Sequence, residues 1–297
     1  MPNDADKELS WHLGSVPGSL PAGRQWMLNI DEQISDEEYA SYQSSAEFLT
    51  ETFSESSFGA LQRRYNEFKD AIQVVAEAFK NKQLTPQMIQ AIGTKIDDVL
   101  TALRRFADRT GHALSQRFGK DSQECQAFRQ SPSYEFDNMF PYRFAWHLRN
   151  YSDHRGSVPF QVRQESGLSA SGAIEQTFNV VVDSRTLLAD YDWHSLVRPD
   201  LERINGKFSV EAVMDGLMLS CRRAYCKMLL VQEPSITAAM DNIRMFAGRA
   251  NPPNGFAPVF IKAPQGTGLS PVTVSPISTE LADVAETALQ QARVMAA

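Results

Sequence analysis

The residues best suited to chemistry lie in one short stretch, from Phe140 to Gly156. It holds two of the chain's five histidines, His147 and His154, and three arginines, Arg143, Arg149 and Arg155. A histidine with an ordinary pKa of about 6.5 can take or give a proton near neutral pH. A guanidinium can meet a phosphate with two parallel N–H donors. RNA carries its own nucleophile, the 2′-hydroxyl, so a base for that proton, an acid for the leaving 5′-oxygen and a cation for the pentavalent intermediate suffice to cut it. Arg149, Asn150 and His154 supply these types within six residues. Asn150 can orient either the imidazole or the phosphate. Arg143, His147 and Arg155 are the neighbouring candidates for RNA and phosphate contacts.

A helix must position these groups. Phe140, Phe144, Leu148 and Tyr151 recur at helical spacing and form an apolar stripe. Arg143, His147, Asn150 and His154 recur at the same spacing on a neighbouring stripe. One stripe can face a core while the other stays reachable. Arg149 leaves the helix about 140° away from His154, so one copy brings the two together only through fraying, the reach of arginine or a second copy across a dimer axis. The helix is expected from about Tyr134 to His154, ended by Gly156 with Pro159 behind it.

Around this helix the chain reads as mainly α. Residues 1–34 read as an irregular, partly extended arm with Trp11, Trp26, Met27, Leu28 and Ile30 as anchors. Ser35 followed by three acids is a helix start, for a short helix over 36–53. Residues 57–81 carry apolar residues at three/four spacing. Thr85-Pro86 opens a long helix that can run to Phe118 through Gly111. The short connection implies an antiparallel pair. Residues 119–133 read as a loop or short helix. Strand-like residues 158–163 and 174–182 flank a Gly/Ser/Ala loop at 166–173, a hairpin directly behind the candidate helix. Short helices over 184–188 and 193–201 precede a helical region over 208–250, which Pro234 should break or kink. A proline-rich segment with two weakly pairing strand fragments, 258–262 and 271–274, leads into a small amphipathic tail helix. The expected division is an arm over 1–34, a helical domain over 35–250 with a hairpin insertion at about 157–183, and a segment over 251–297.

Composition excludes several classes. The net charge of −7 leaves no global field for nucleic acid, so any such binding must be local. Three cysteines, Cys125, Cys221 and Cys226, form neither a disulfide framework nor a close zinc pair. The acidic N-terminus has no signal-peptide core, and no run of about 18 apolar residues occurs, so a soluble cytoplasmic protein is expected. Gly266-Thr267-Gly268 lacks the Lys-Ser/Thr ending of a phosphate loop, and no Gly-x-Ser-x-Gly elbow occurs. His12, His112 and His194 have no ligand-spaced companions, so no metal and no cofactor are expected.

The run Arg149-Asn150-Tyr151-Ser152-Asp153-His154 resembles the motif of the HEPN superfamily, an arginine followed four to six residues later by histidine, with a polar residue directly after the arginine. Leu148, Arg155-Gly156 and Pro159 are similar in the same way. The resemblance covers the motif helix and, in general character, the helices before it; the hairpin and the proline-rich tail lie outside it. It implies a HEPN-like helical bundle and a metal-independent endoribonuclease with Arg149, Asn150 and His154 as catalytic residues. It also implies a site built by two protomers of a homodimer, RNA as substrate, and a toxin or antiphage setting with an antitoxin or regulatory partner. The rival expectations are a catalytically inactive HEPN-like protein that binds nucleotide or RNA or regulates a partner, and an interaction scaffold. The residue-level alternative for His154 is a stabilising contact with the negative helix end. For Arg149 it is pairing with an acid.

Overall fold

The computed structural model describes residues 9–17, 28–54, 56–168, 174–264 and 273–296. They are mainly helical, with two small antiparallel sheets. The elements in order are β1 (Leu9–Pro17), β2 (Asn29–Ile34), α1 (Asp36–Leu49), α2 (Ser57–Lys80), α3 (Pro86–Phe118), α4 (Gln123–Asn138) and α5 (Phe140–Arg155). Then come β3 (Phe160–Leu168), β4 (Ile174–Asp183), α6 (Ser184–Asp190), α7 (Arg198–Ile204), β5 (Lys207–Ser209), α8 (Val210–Val231), α9 (Glu233–Arg249), β6 (Phe256–Pro264), β7 (Thr273–Pro276) and α10 (Thr279–Ala296). A π-helical turn, Thr50–Ser54, follows α1.

The chain divides into two compact units, one from residues 1–55 and 232–294, the other from 56–231 with the last three residues. This corrects the division expected from sequence. Of the described residues in the expected arm, Leu9–Pro17 and Asn29–Ile34 are strands, and residues 35–55 and 232–250 group with the tail rather than with one domain over 35–250. β1 pairs along its whole length with β6 and on its other edge with β2, in the order β2-β1-β6-β7. No local sequence signal joins Leu9 to Pro264, because strand pairing is set by side-chain burial over long separations. Trp11, Leu13 and Phe260 form one face; Trp11 stacks on Tyr39 of α1, and Phe260 meets Tyr42 and Phe246. Val16, Val259, Ile261 and Ala263 are buried together on the other face. Gly14 is required in β1: a Cβ there would sit 2.0 Å from the Asn29 carbonyl oxygen. The cap of α1 is as expected, with the Ser35 hydroxyl accepting from Glu38 N–H and the Glu38 carboxylate accepting from Ser35 N–H. The sequence candidates Trp26 and Met27, and the loop around Gly266, lie outside the described residues.

In the other unit α2 and α3 are antiparallel. Ser57 bonds Thr110 and Glu67 pairs with Lys95, so one helix rises as the other falls. Leu61, Phe68, Ile72 and Val75 of α2 and Ile92, Ile96, Val99, Leu103 and Phe106 of α3 are buried, as the three/four spacing predicts. α3 is continuous through Gly111 to Phe118.

Of the two alternatives for residues 119–133, the helix is found, running longer than expected over Gln123–Asn138, and the motif helix begins at Phe140 rather than Tyr134. Pro141 is the reason for the break. It has no N–H, and its ring would collide with the Asp137 carbonyl in a continuous helix. Met139 is extended instead, and Pro141 sits in the first turn of α5. The β3–β4 hairpin is present with strands longer than expected; residues 166–168, read as loop, are strand, and 169–173 lie outside the described residues. β5 adds a third strand beside β4. The long helical region over 208–250 breaks where Pro234 requires, and α9 carries that proline in its first turn.

Candidate functional site

The site is built on α5, whose apolar stripe fixes its rotation. Phe144, Leu148 and Tyr151 are buried. Phe144 and Tyr151 both stack on Trp193, with centroids at 5.5 and 5.8 Å, and Phe208 packs edge-on against Phe144. The Trp193 indole N–H donates to the Leu187 carbonyl at 2.8 Å, so the ring is held in place. Tyr151 is therefore core rather than an RNA-stacking platform. Its hydroxyl donates to Asp190 at 2.6 Å, and burial with that hydrogen bond raises its pKa to about 12. At the other end α5 presses Pro141 against α8. Gly216 makes room, since a Cβ there would meet Pro141 Cγ at 2.6 Å.

The last turn is set by Gly156, at φ +94°, a left-handed conformation that stops the helix. Gly156 N–H closes the turn on the Ser152 carbonyl at 3.0 Å. The Ser152 hydroxyl donates to Asp97 of α3 at 2.6 Å, which clasps the helix end to the long helix beside it. Asp97 has its pKa raised, chiefly by burial, opposed by the Ser152 hydrogen bond and reinforced by the charges of Asp98 and Asp153. Asp98 takes an ion pair from Lys95 at 3.4 Å.

Within this frame the expected site residues divide. His154 and Arg155 are exposed in the last turn, and Asn150 is partly exposed one turn earlier. Arg149 does not swing freely. Its Nη1 pairs with Asp153 at 2.5 Å, one turn on, and its Nε is buried without a hydrogen-bond partner. The guanidinium is thus held at Asp153, whose side chain leaves the helix about 40° from that of Arg149 and about 100° from that of His154. Asp153 was not singled out from the sequence. The signal was available, since an arginine and an aspartate four residues apart on a helix are neighbours.

Arg143 is committed elsewhere. Its guanidinium meets Asp200 of α7 through Nε at 2.6 Å and Nη2 at 2.5 Å, and its Nη1 caps the Asp137 carbonyl at 3.2 Å. Only 13% of its side chain is exposed. The gap that Pro141 opens between α4 and α5 is therefore closed by an arginine one turn into α5. As placed, Arg143 holds structure rather than offering a free phosphate contact.

His147 also has a local partner. Its ring stacks on His194 with centroids 4.6 Å apart and planes 19° from parallel, and Phe136 lies against both. Burial first, and the neighbouring imidazole second, lower its pKa, so the neutral form is favoured. His194 lies in the turn before α7, and no local spacing could have linked it to His147. The Leu196 N–H donates to His194 Nδ1 at 3.3 Å.

Among the described residues no group of three or more His, Cys, Asp or Glu could hold a metal ion. No helix among them is long and apolar enough to cross a membrane. A scan against protein-family models, a search of curated proteins and a search of solved structures return no match.

Proposed function

We propose that the last turn of α5 is the working site of a metal-independent endoribonuclease of the HEPN type, a homodimer that cleaves RNA by attack of the 2′-hydroxyl. One observation carries the reading most. His154 is exposed at the helix end, and Arg149, little more than a turn back, holds its guanidinium against Asp153, the residue before it. His154 serves as base for the 2′-hydroxyl proton or acid for the leaving 5′-oxygen. Arg149 meets the charge on the pentavalent phosphorus. Asn150 orients the phosphate or the imidazole, and Arg155 adds a cation at the rim. A second α5 across a dimer axis supplies the other half of the acid–base pair. The packing of α3, α4 and α8 against α5 is in keeping with a helical bundle. A toxin or antiphage role, with a controlling partner, is the biological setting this reading implies.

The test is cleavage of single-stranded RNA by the purified full-length chain with chelator present. Wild type should yield products ending in a 2′,3′-cyclic phosphate and a 5′-hydroxyl. Arg149→Ala and His154→Ala should each lose at least about a hundredfold, the usual share of a positioned charge-stabilising donor and of a positioned acid–base group. A folded His154→Ala protein that cuts as fast as wild type overturns the proposal.

A second reading has its own support. Arg149 already has an anionic partner in Asp153. A site in that state fits a protein that binds RNA or nucleotide without cutting it. Salt-dependent RNA binding with no cleavage at any ionic strength selects this reading.

A further inference from the structure

We infer that Asp153 is an internal competitor for the RNA phosphate, a positioning residue that acts through Arg149; the inference rests on the RNA reading of this helix end. The Asp153 carboxylate lies 2.5 Å from Arg149 Nη1, with 49% of the Asp153 side chain and 33% of the Arg149 side chain exposed. A phosphate oxygen seeking the guanidinium therefore meets an anion already in place. The pair is local to one helix turn and exposed, so it opens at little cost. Asp153 has an open side from which to leave, while the Nε of Arg149 is buried. Neighbouring charge works in the same direction. Asp97 is clasped to the helix end by Ser152, and Asp98 stands beside it. With Arg149 neutralised, Arg155 is left as the exposed arginine of this turn. A chain of net charge −7 thus carries a site whose Arg149 is offered as a cation only when its own carboxylate is pushed aside.

The consequence is thermodynamic and specific to one pair. RNA binding to wild type exchanges one anion for another at Arg149, so that arginine releases no condensed counterion of its own. Replacing Asp153 by asparagine leaves Arg149 uncompensated and adds one effective cation to the interface. For a single strand each such cation steepens the dependence of log K on log salt by about 0.7. An exposed ion pair of this kind corresponds to roughly a two- to fivefold change in affinity.

The experiment uses the full-length protein and a fully 2′-O-methylated single-stranded RNA 12-mer, which cannot be cleaved by 2′-hydroxyl attack. Binding is measured across a salt series for wild type, Asp153→Asn, Asp153→Glu, Arg149→Ala and the double variant Arg149→Ala/Asp153→Asn, with thermal melts to confirm folding. Asp153→Asn should bind roughly two- to fivefold tighter, with a salt slope steeper by about 0.7. Asp153→Glu should behave as wild type. In the Arg149→Ala background the asparagine should give no gain. If wild type binds, Arg149→Ala weakens binding and Asp153→Asn changes nothing, the inference is overturned and the RNA reading stands. A gain that persists without Arg149 also overturns it, because the effect is then general charge. Absence of RNA binding in all five proteins removes the RNA reading and the inference with it.

Discussion

Replacing Arg143 by alanine separates a structural arginine from a phosphate-binding one. Arg143 and Asp200 retain only 13% and 11% of their side-chain exposure. Removing one partner of a buried pair costs about 3–5 kcal/mol, because the other charge is left uncompensated, whereas an exposed pair is worth about 0.2–1 kcal/mol. With roughly a tenth of each side chain still wet, the loss belongs near the lower end of the buried range. Arg203, 3.4 Å from the other Asp200 oxygen, compensates in part, but its own side chain is 80% exposed. Loss of the hydrogen bond to the Asp137 carbonyl adds about 1 kcal/mol. The expected total is about 2–4 kcal/mol. With a urea slope of about 2 kcal/mol/M, the unfolding midpoint should fall by about 1–2 M. Arg143→Lys should fall in between, since an ammonium keeps the charge but cannot contact Asp200 and the carbonyl as a planar fork does. The assay is urea unfolding followed by circular dichroism and tryptophan fluorescence, with RNA binding measured on the folded variant. A loss under about 0.5 kcal/mol, together with a salt slope shallower by about 0.7, would mark Arg143 as a phosphate contact and refute the reasoning.

Three further outcomes follow from the packing and charge around α5. Gly216→Ala places a Cβ 2.6 Å from Pro141 Cγ, so over-packing of about 1–3 kcal/mol should outweigh the gain of about 1 kcal/mol in helix propensity; Gly248→Ala in α9, where nothing lies within 4 Å, should be neutral or stabilising, and thermal melts of both decide it. Because the pKa of His147 is lowered in the folded protein, its contribution to stability is full above about pH 6.5 and is lost as pH falls through the depressed folded value; His147→Gln should flatten the fall in melting temperature between about pH 7 and pH 5, and an unchanged profile would contradict it. The raised pKa of Asp97 has the opposite sign, with the ionised form disfavoured at neutral pH. Asp97→Asn keeps an oxygen to accept from Ser152 and should raise the melting temperature at pH 7 but give less gain near pH 4; a clear loss at pH 7 would show that the charge itself holds α5.

Local features of the fold were legible in the sequence. The caps at Ser35 and Thr85, the stripes on α2 and α3, the break before α9 and the stop at Gly156 are each decided by residues within a turn or two of one another. The apolar stripe of α5 was equally clear. Its start was not, because Pro141 permits either a kinked continuation or a new first turn, and Arg143 and Asp200 help close the new start across 57 residues. The N-terminal strand was missed for a similar reason. Leu9–Pro17 reads as irregular alone and becomes a strand through its pairing with Phe256–Pro264.

The candidate site shows the same division. Sequence alone determined that an arginine, an asparagine and a histidine share the last turns of one helix, since helical geometry and the terminating glycine depend on neighbours in the chain. Tertiary structure decided which of the surrounding cations are free. Arg143 went to Asp200 and His147 to a stack with His194, partners that the fold brings from 57 and 47 residues away. A charge is neutralised by whatever the folded chain places within a few ångströms, and that distance is not written in the spacing of residues along it.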